Sequence, residues 1–498
     1  MNRNCGSTGA NSILRMVWVA VAVVAQAAWL VVLNLRLNEY SQAIAALTNL
    51  LAVVVVLKLY SRHTTADMKM PWVMLILVFP VMGLTLYLLI RACGDLGGTR
   101  RRLAQIRQAL PHSEPVAIPA GMEWCRPLGC PIYGGTQTEY FPEAVDAFES
   151  LKQDLEQTEK FIFMEYFIVE DGKAFLEIEE ILIRKAARGV EVRLLYDDIG
   201  SGGVADARFV SRLRKEGIQC RVFNPAVPFL NLFMNHRDHR KITVIDGRVG
   251  YTGGFNLAGE YFGYTRPHGH WKDVGLRLEG LAVEGLTRSF LELWCVTARE
   301  RVGMEQYLNI RHEIPGDGWV LPFGDDPLGP ERLTEDLYLN LIGGAGKRLW
   351  FMTPYLIITG ELTRALGLAA KRGVDVRIIT PGVPDKKTVY AVTRSYYSGL
   401  ARQGVRIFEY SPGFCHAKMC VCDDETAVVG TSNLDYRSLY HHFENNVVLC
   451  RSKAVVQVAA DFEAVFPRCR EVTESYTHGR KAALRVWQCI LRLFAPMM

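Results

Sequence analysis

His239-Arg-Lys241-Ile-Thr-Val-Ile-Asp246 reads H-x-K-x-x-x-x-D, and the same pattern returns as His416-Ala-Lys418-Met-Cys-Val-Cys-Asp423. A Gly stands fourteen residues after each His (Gly253, Gly430), and an Asn seventeen after it (Asn256, Asn433). One such octet is a weak signal; two, with matching residues downstream, mark a duplication.

The segments before each octet follow one plan. Residues 160–168 (Lys160-Phe-Ile-Phe-Met-Glu-Tyr-Phe-Ile168) read as a buried strand, and 347–353 are its echo. Each is followed by an amphipathic helix, ending at Ala187-Arg188-Gly189 and at Lys371-Arg372-Gly373. Strands 190–196 and 374–380 come next, with the cores V-E-V-R and V-D-V-R. Second helices then lead to Gly217 and Gly404, and short strands end near Phe223 and Phe408. Repeated strand–helix–strand units predict an α/β fold of two α-β-α sandwich halves, with parallel-rich sheets covered by helices. We assign the first half to 120–310 and the second to 311–498, after a linker at 94–119. Packed together, such halves bring equivalent loops to one shared site.

The halves differ before the octets: Gly217 to His239 is 22 residues, Gly404 to His416 only 12. The extra ten lie in Asn224-Pro-Ala-Val-Pro-Phe-Leu-Asn-Leu-Phe-Met234, an apolar loop that either meets a bilayer or acyl chain or packs under its domain.

Much of the excess apolar content falls in residues 1–93, read as a membrane anchor. Three uncharged runs, about 16–33, 40–57 and 71–90, are each long enough for a transmembrane helix, which gives an anchor of two to three such helices. Trp29, Tyr40, Tyr60, Trp72 and Tyr87 lie near their ends, as aromatic belts do. Basic residues cluster both after the second run (Lys58, Arg62, Lys69) and after the third (Arg91, Arg100, Arg101, Arg102, Arg107). Three full crossings would put these clusters on opposite sides, against the positive-inside rule. Pro80, in the middle of the third run, permits a kink or a re-entrant segment instead. The twelve Cys lack secreted disulfide spacing, which favours a reducing compartment. A multi-pass place in a cell membrane, with a cytoplasmic catalytic region, is the expected location. The tail 479–494 reads as a basic amphipathic helix that lies on a membrane or caps the domain.

In a strand, the His and Lys of each octet share a face. Imidazole beside ammonium, with an amide after a Gly-bearing turn, makes an anion site holding a reactive nitrogen. Lys241, Lys418, Asn256 and Asn433 supply the electrostatics, and neither half carries a metal-ligand set. Two such units around one anion suit displacement at a phosphodiester: one His attacks phosphorus, and the other protonates the leaving alkoxide, then deprotonates the acceptor. Each His needs an orienting acceptor. Aligning the halves matches Trp271-Lys-Asp273 with Phe443-Glu444, so Asp273 and Glu444 are the candidates. Asp246 and Asp423 complete the catalytic octets, yet Asp246-Gly247 and Asp423-Asp424 look like turn dipeptides that hold the motif's shape. His236, His268, His270, His441 and His442 read as surface or core residues.

The duplicated octets, with Gly253-Gly254-x-Asn256 and Gly430-Thr431-x-Asn433, resemble the phospholipase D superfamily. Gly259-Glu-Tyr261, Trp271-Lys-Asp273, Asn433-Leu-Asp435-Tyr-Arg437-Ser438 and Phe443-Glu444 make the chain similar to its bacterial cardiolipin synthases. The resemblance implies phospholipase D-like halves and a metal-independent, cofactor-free transfer in which two phosphatidylglycerols give cardiolipin and glycerol. It also implies His239 as nucleophile, forming a phosphatidyl-histidine, and His416 as general acid/base. Phosphatidylglycerol and anionic membrane lipids are then the expected partners. A phospholipase D-type hydrolase or a phosphatidylserine synthase would use the same residues with a different acceptor. A membrane-anchored nuclease fits less well. It would be strongly basic with aromatic stacking platforms, whereas this chain has a net charge of +5, and no nucleic-acid partner is expected.

Overall fold

The computed structural model describes residues 42–497 apart from 63, 94–96, 111–117, 120–121, 203–206, 226–235, 301–302 and 478–481, with a few scattered positions between 21 and 35. Most of the run 16–33, most of the apolar loop before His239 and the start of the basic tail lie outside the described residues.

Two sheets carry the molecule. The first orders its strands Thr136–Phe141, Gly275–Gly280, Val249–Gly253, Lys241–Ile245, Phe161–Tyr166, Glu191–Asp197 and Gln219–Phe223. The second repeats that order with Trp319–Asp325, Glu444–Cys450, Thr426–Gly430, Met419–Cys422, Arg348–Met352, Asp375–Pro381 and Arg406–Tyr410, then adds Cys469–Glu471 at its edge. The sheets are mixed rather than parallel-rich. In each, only the three strands joined by helices run parallel. Each octet strand turns straight back at its aspartate, which forces antiparallel pairing there. Asp246 and Asp423 both adopt left-handed backbone at those turns, with φ of 54° and 52°.

Side-chain alternation along the strands feeds separate cores. Ile162, Met164 and Leu194 face an outer core with the helices Ala144–Glu156, Lys173–Ala187 and Ala207–Lys215. Phe163, Leu195, Ile242 and Val244 face a central core shared with the second half. The equivalent helices Val283–Ala298 and Lys453–Val465 lie in that central layer. The stretch read as a linker contains a further helix, Gly97–Ala109, whose Leu103 and Ile106 join the same core.

The N-terminal region departs from expectation. Residues 42–57 of the second apolar run fall within one helix, Gln42–Tyr60. The third run is not continuous: it forms two helices, Ala66–Val78 and Pro80–Cys93, meeting at Phe79. Pro80 has no N–H to continue the ladder. Gly83 then comes so close that a Cβ there would lie 2.6 Å from Ile76 Cα. Among the described residues no helix is long and apolar enough to cross a membrane, so the transmembrane helices expected at 40–57 and 71–90 are not found there.

Candidate active site

Backbone pairing between the halves sets both octet histidines. His239 N donates to Phe443 O (2.9 Å), and Phe443 N donates to Arg237 O (2.8 Å). On the other side His416 N donates to Lys272 O (2.8 Å), where Gly413–Cys415 pairs with His270–Lys272. In each case the residue after the bonded carbonyl is an acid. The acids are therefore exchanged. Glu444 of the second half lies 2.9 Å from His239 Nδ1, and Asp273 of the first lies 2.7 Å from His416 Nδ1. Both carboxylates are wholly buried. With Nδ1 engaged, His239 has Nε2 left for substrate, whereas Nε2 of His416 also lies beside Lys418 Nζ.

His239 and His416 line one cavity of about 840 Å³ together with Asn256, Asn433, Tyr261, Trp271, Phe167, Arg437 and His442. Lys241 and Lys418 lie beneath the histidines, buried. Lys241 Nζ donates to His239 O (2.6 Å), and Lys418 Nζ sits 2.7 and 2.9 Å from the ring nitrogens of His416. Asn256 holds its loop by accepting from Ile168 N (3.0 Å) and donating to Tyr261 Oη (2.7 Å). Asn433 donates to Asp435 (3.2 Å), and its Oδ1 has no protein partner.

Burial dominates the electrostatics. It lowers His239 well below the usual imidazole range, with further lowering by Lys241 and His442. It lowers His416 to about 4, where Lys418 adds to the effect and Asp273 works against it. Lys241 is brought down to about 7 by burial, against the pull of Glu444, and Lys418 to about 8 by burial, against Asp273. Burial pushes the Glu444 carboxyl well above its usual range.

The octet aspartates stand away from this cavity. Asp246 accepts from the backbone N–H groups of Glu159 (2.9 Å), Lys160 (2.8 Å) and Phe161 (2.8 Å). Asp423 accepts equivalently from Gly346 (3.0 Å), Lys347 (2.7 Å) and Arg348 (3.0 Å). Each clamps the far end of the octet strand to the neighbouring strand's start.

The profile of the cardiolipin synthase, PLD-like domain family matches residues 151–268 and 338–466, one span with one octet in each half. A phospholipase D-nuclease N-terminal profile matches 47–91. Over 464 residues the chain is 32% identical to the cardiolipin synthase of Halalkalibacterium halodurans, covering 89% of this chain and 91% of that one. The chain belongs to the cardiolipin synthase family. Another relative, from Streptococcus mutans, is 42% identical over 370 residues, 74% of this chain and 80% of its own. Among solved structures, the phosphatidylserine synthase of Haemophilus influenzae superposes with a TM-score of 0.59 over 76% of this chain and all of its own. At 13% identity that likeness is one of fold alone.

Within this cardiolipin synthase family member the two acids are seated differently. At Gly254 a Cβ would lie 2.0 Å from Asp273 Oδ1, so only Gly lets that carboxylate reach His416. At the equivalent place Thr431 turns its hydroxyl into a donor to Glu444.

Several cavity residues were not legible as such. His442, read as surface or core, is buried beside His239 with ring centroids 5.5 Å apart, and neither of its ring nitrogens has a protein hydrogen-bond partner. Its place two residues before Glu444 was the available signal. Arg237 is fixed by a buried pair with Asp197 (2.7 Å), which also accepts from Asp238 N (3.0 Å) and so holds the approach to His239. His236, His268 and His270 do not line the cavity; His236 Nδ1 meets His441 O (3.0 Å) and His270 Nδ1 meets Tyr410 Oη (2.9 Å). His239, His442 and Glu444 place ligand-type atoms within 4.8 Å of one another. A cation there would compete for the His239 nitrogen that Glu444 engages, and would face Lys241.

Proposed function

We propose that this protein is a cardiolipin synthase: it transfers the phosphatidyl group of one phosphatidylglycerol to a second, forming cardiolipin and releasing glycerol. The observation that carries this reading is the pair of histidines, each oriented through Nδ1 by an acid of the opposite half, over one cavity in a member of this family.

In the first step His239 Nε2 attacks phosphorus, and the P–O bond to glycerol breaks as His416 gives its proton to the departing alkoxide. In the second, a hydroxyl of the incoming phosphatidylglycerol passes its proton to His416 and attacks phosphorus, freeing His239. Burial and its cationic neighbours keep His239 neutral, as a nucleophile must be. The net shift of His416 is downward even beside Asp273, so the protonated form that serves as acid is the one the bound phosphate anion stabilises. Lys241, Lys418, Asn256 and Asn433 steady the phosphate oxygens as charge builds. Asp246 and Asp423 support this set from outside the cavity. The reading needs neither metal nor cofactor, takes phosphatidylglycerol in an anionic membrane as partner and involves no nucleic acid. It places the catalytic halves on the cytoplasmic face of a bacterial cell membrane, with the apolar N-terminal region as anchor, and takes residues 120–310 and 311–498 as the two halves.

The test is the purified full-length protein in mixed micelles with phosphatidylglycerol alone. Cardiolipin and glycerol should appear in equal amounts, unaffected by a metal chelator. Phosphatidic acid as the main product would establish a hydrolase and overturn the synthase reading. Transfer only after serine is added would point to a phosphatidylserine synthase. His239→Asn and His416→Asn should each lower turnover by about 10³-fold or more, as loss of paired catalytic groups does.

A further inference from the structure

The helices Ala66–Val78 and Pro80–Cys93 do not form a bent rod; the chain reverses at Phe79. In a straight helix, residues seven apart stand about 10 Å from each other along the axis. Here a Cβ on Gly83 would come within 2.6 Å of Ile76 Cα, and further from the tip Trp72 and Tyr87 meet with ring centroids 5.5 Å apart. Ile76, Leu84 and Tyr87 pack together with Ala52 and Leu59 of the preceding helix. The pair is therefore a closed helical hairpin, with its start and its end at one level.

Its surface is graded along its length. Leu77, Val78 and Phe79 at the tip are exposed, as are Met70, Met74 and Leu88 on its flanks. The base carries Lys69 and Arg91, with Lys58 and Arg62 beside it. Lys69 Nζ donates to Tyr60 O (3.2 Å) and Arg62 O (2.5 Å), which ties these basic residues to one level. The helix Ala482–Leu493, in contact with Ala66–Val78, exposes Val486, Trp487 and Ile490, and Phe494 just past its end. An apolar tip, a Trp–Tyr pair and a cationic base match the layers of one leaflet: acyl chains, interface and anionic headgroups. At 1.5 Å per residue, helices of 13 and 14 residues are about 20 Å long, close to one leaflet with its headgroup region.

We infer that residues 66–93 are a re-entrant hairpin that enters and leaves the leaflet facing the catalytic halves. This deepens the membrane placement proposed above and rests on it. The arrangement removes the conflict in the positive-inside pattern, because the clusters at 58–69 and 91–107 then share one side. It also aligns the site with its substrate. Asp67, in the hairpin's first turn, accepts from Tyr436 Oη (2.7 Å), and Tyr436 stands between the cavity-lining Asp435 and Arg437. The headgroup level of the leaflet thus meets the cavity rim, and a lipid reaches the histidines sideways, without leaving its leaflet.

The experiment uses the full-length chain in sealed membrane vesicles of both orientations, treated with a membrane-impermeant amine reagent. Modification at the exposed Lys58 is compared by mass spectrometry with the exposed Lys215 and Lys371 of the catalytic halves. Lys58 should be modified in the same vesicles as Lys215 and Lys371, at least tenfold more than in the opposite orientation. Modification of Lys58 only where Lys215 is protected would mean a full crossing and overturn the hairpin insertion. Protection of Lys58 in both orientations would overturn it too, since the base would then lie within the bilayer. None of these outcomes depends on phosphatidyl transfer, so the topology and the activity stand or fall separately.

Discussion

At the scale of single residues, the site runs on side chains whose charge is set by burial. Lys241 and Lys418 are charged below about 7 and about 8 respectively and neutral above. On the proposed mechanism, raising the pH through that range removes the positive charge offered to the phosphate. We expect kcat/KM, which reports the free enzyme, to fall above about pH 7. The fall in kcat should come at higher pH, because bound phosphate diester favours the ammonium forms. A pH series at fixed lipid composition checks this, and Lys241→Arg should move the limb of kcat/KM upward. Gly254 offers a second test. Gly254→Ala should push Asp273 off His416 and cost about 10²-fold in kcat, the size of effect that an ångström of misplacement brings. Thr431→Ala, at the equivalent place, adds no bulk and should cost less.

Elements explain why the octet ends in an aspartate that stands outside the cavity. The strands Lys241–Ile245 and Met419–Cys422 hold their neighbours through carboxylates that collect three backbone N–H groups each. Asp246→Ala leaves those donors unmet and should lower stability by about 2–3 kcal/mol, seen as a lower Tm, with KM unchanged below the transition. For Asp423, burial raises the carboxyl pKa, but the backbone donors of Arg348, Gly346 and Lys347 outweigh it and the net shift is downward. A lowered pKa stabilises above the unfolded value near 3.8 and is lost as pH falls through the folded one. Asp423→Asn should therefore lower Tm at neutral pH and narrow its gap to the parent chain in acid.

How much of this the sequence disclosed depended on range. The octets, the repeated strand–helix order and the turn role of Asp246 and Asp423 are local patterns, and the amino-acid order carries them. Asp273 and Glu444 were found by aligning the two halves, but that alignment could not show which histidine each would serve. The exchange is a matter of packing between residues about 140 and 200 apart. His442 is missed for a related reason: its place two residues before Glu444 does not by itself distinguish an imidazole facing a cavity from one in a core. The parallel-rich sheet was misjudged because the helix-linked strands were weighed and the turns after the octets were not. The third apolar run looked continuous because hydropathy does not register that Pro80 and Gly83 fold it back.

For the whole molecule, the shared central core and the exchanged acids make the halves one catalytic unit. Chains ending or beginning near residue 311 should each be inactive, by about 10³-fold or more as for loss of a catalytic group. Co-expression should restore phosphatidyl transfer if the fragments reassociate as a soluble complex on size exclusion; recovered activity from either fragment alone would refute the single-unit view.

The exchange of acids also makes the halves reciprocal. Neither octet orients its own histidine; each borrows a carboxylate from the other half. That reciprocity fixes the contact but leaves the copies freedom in how each acid is seated. Gly254 opposite Thr431, and Asp273 opposite Glu444, mark how far that freedom has gone.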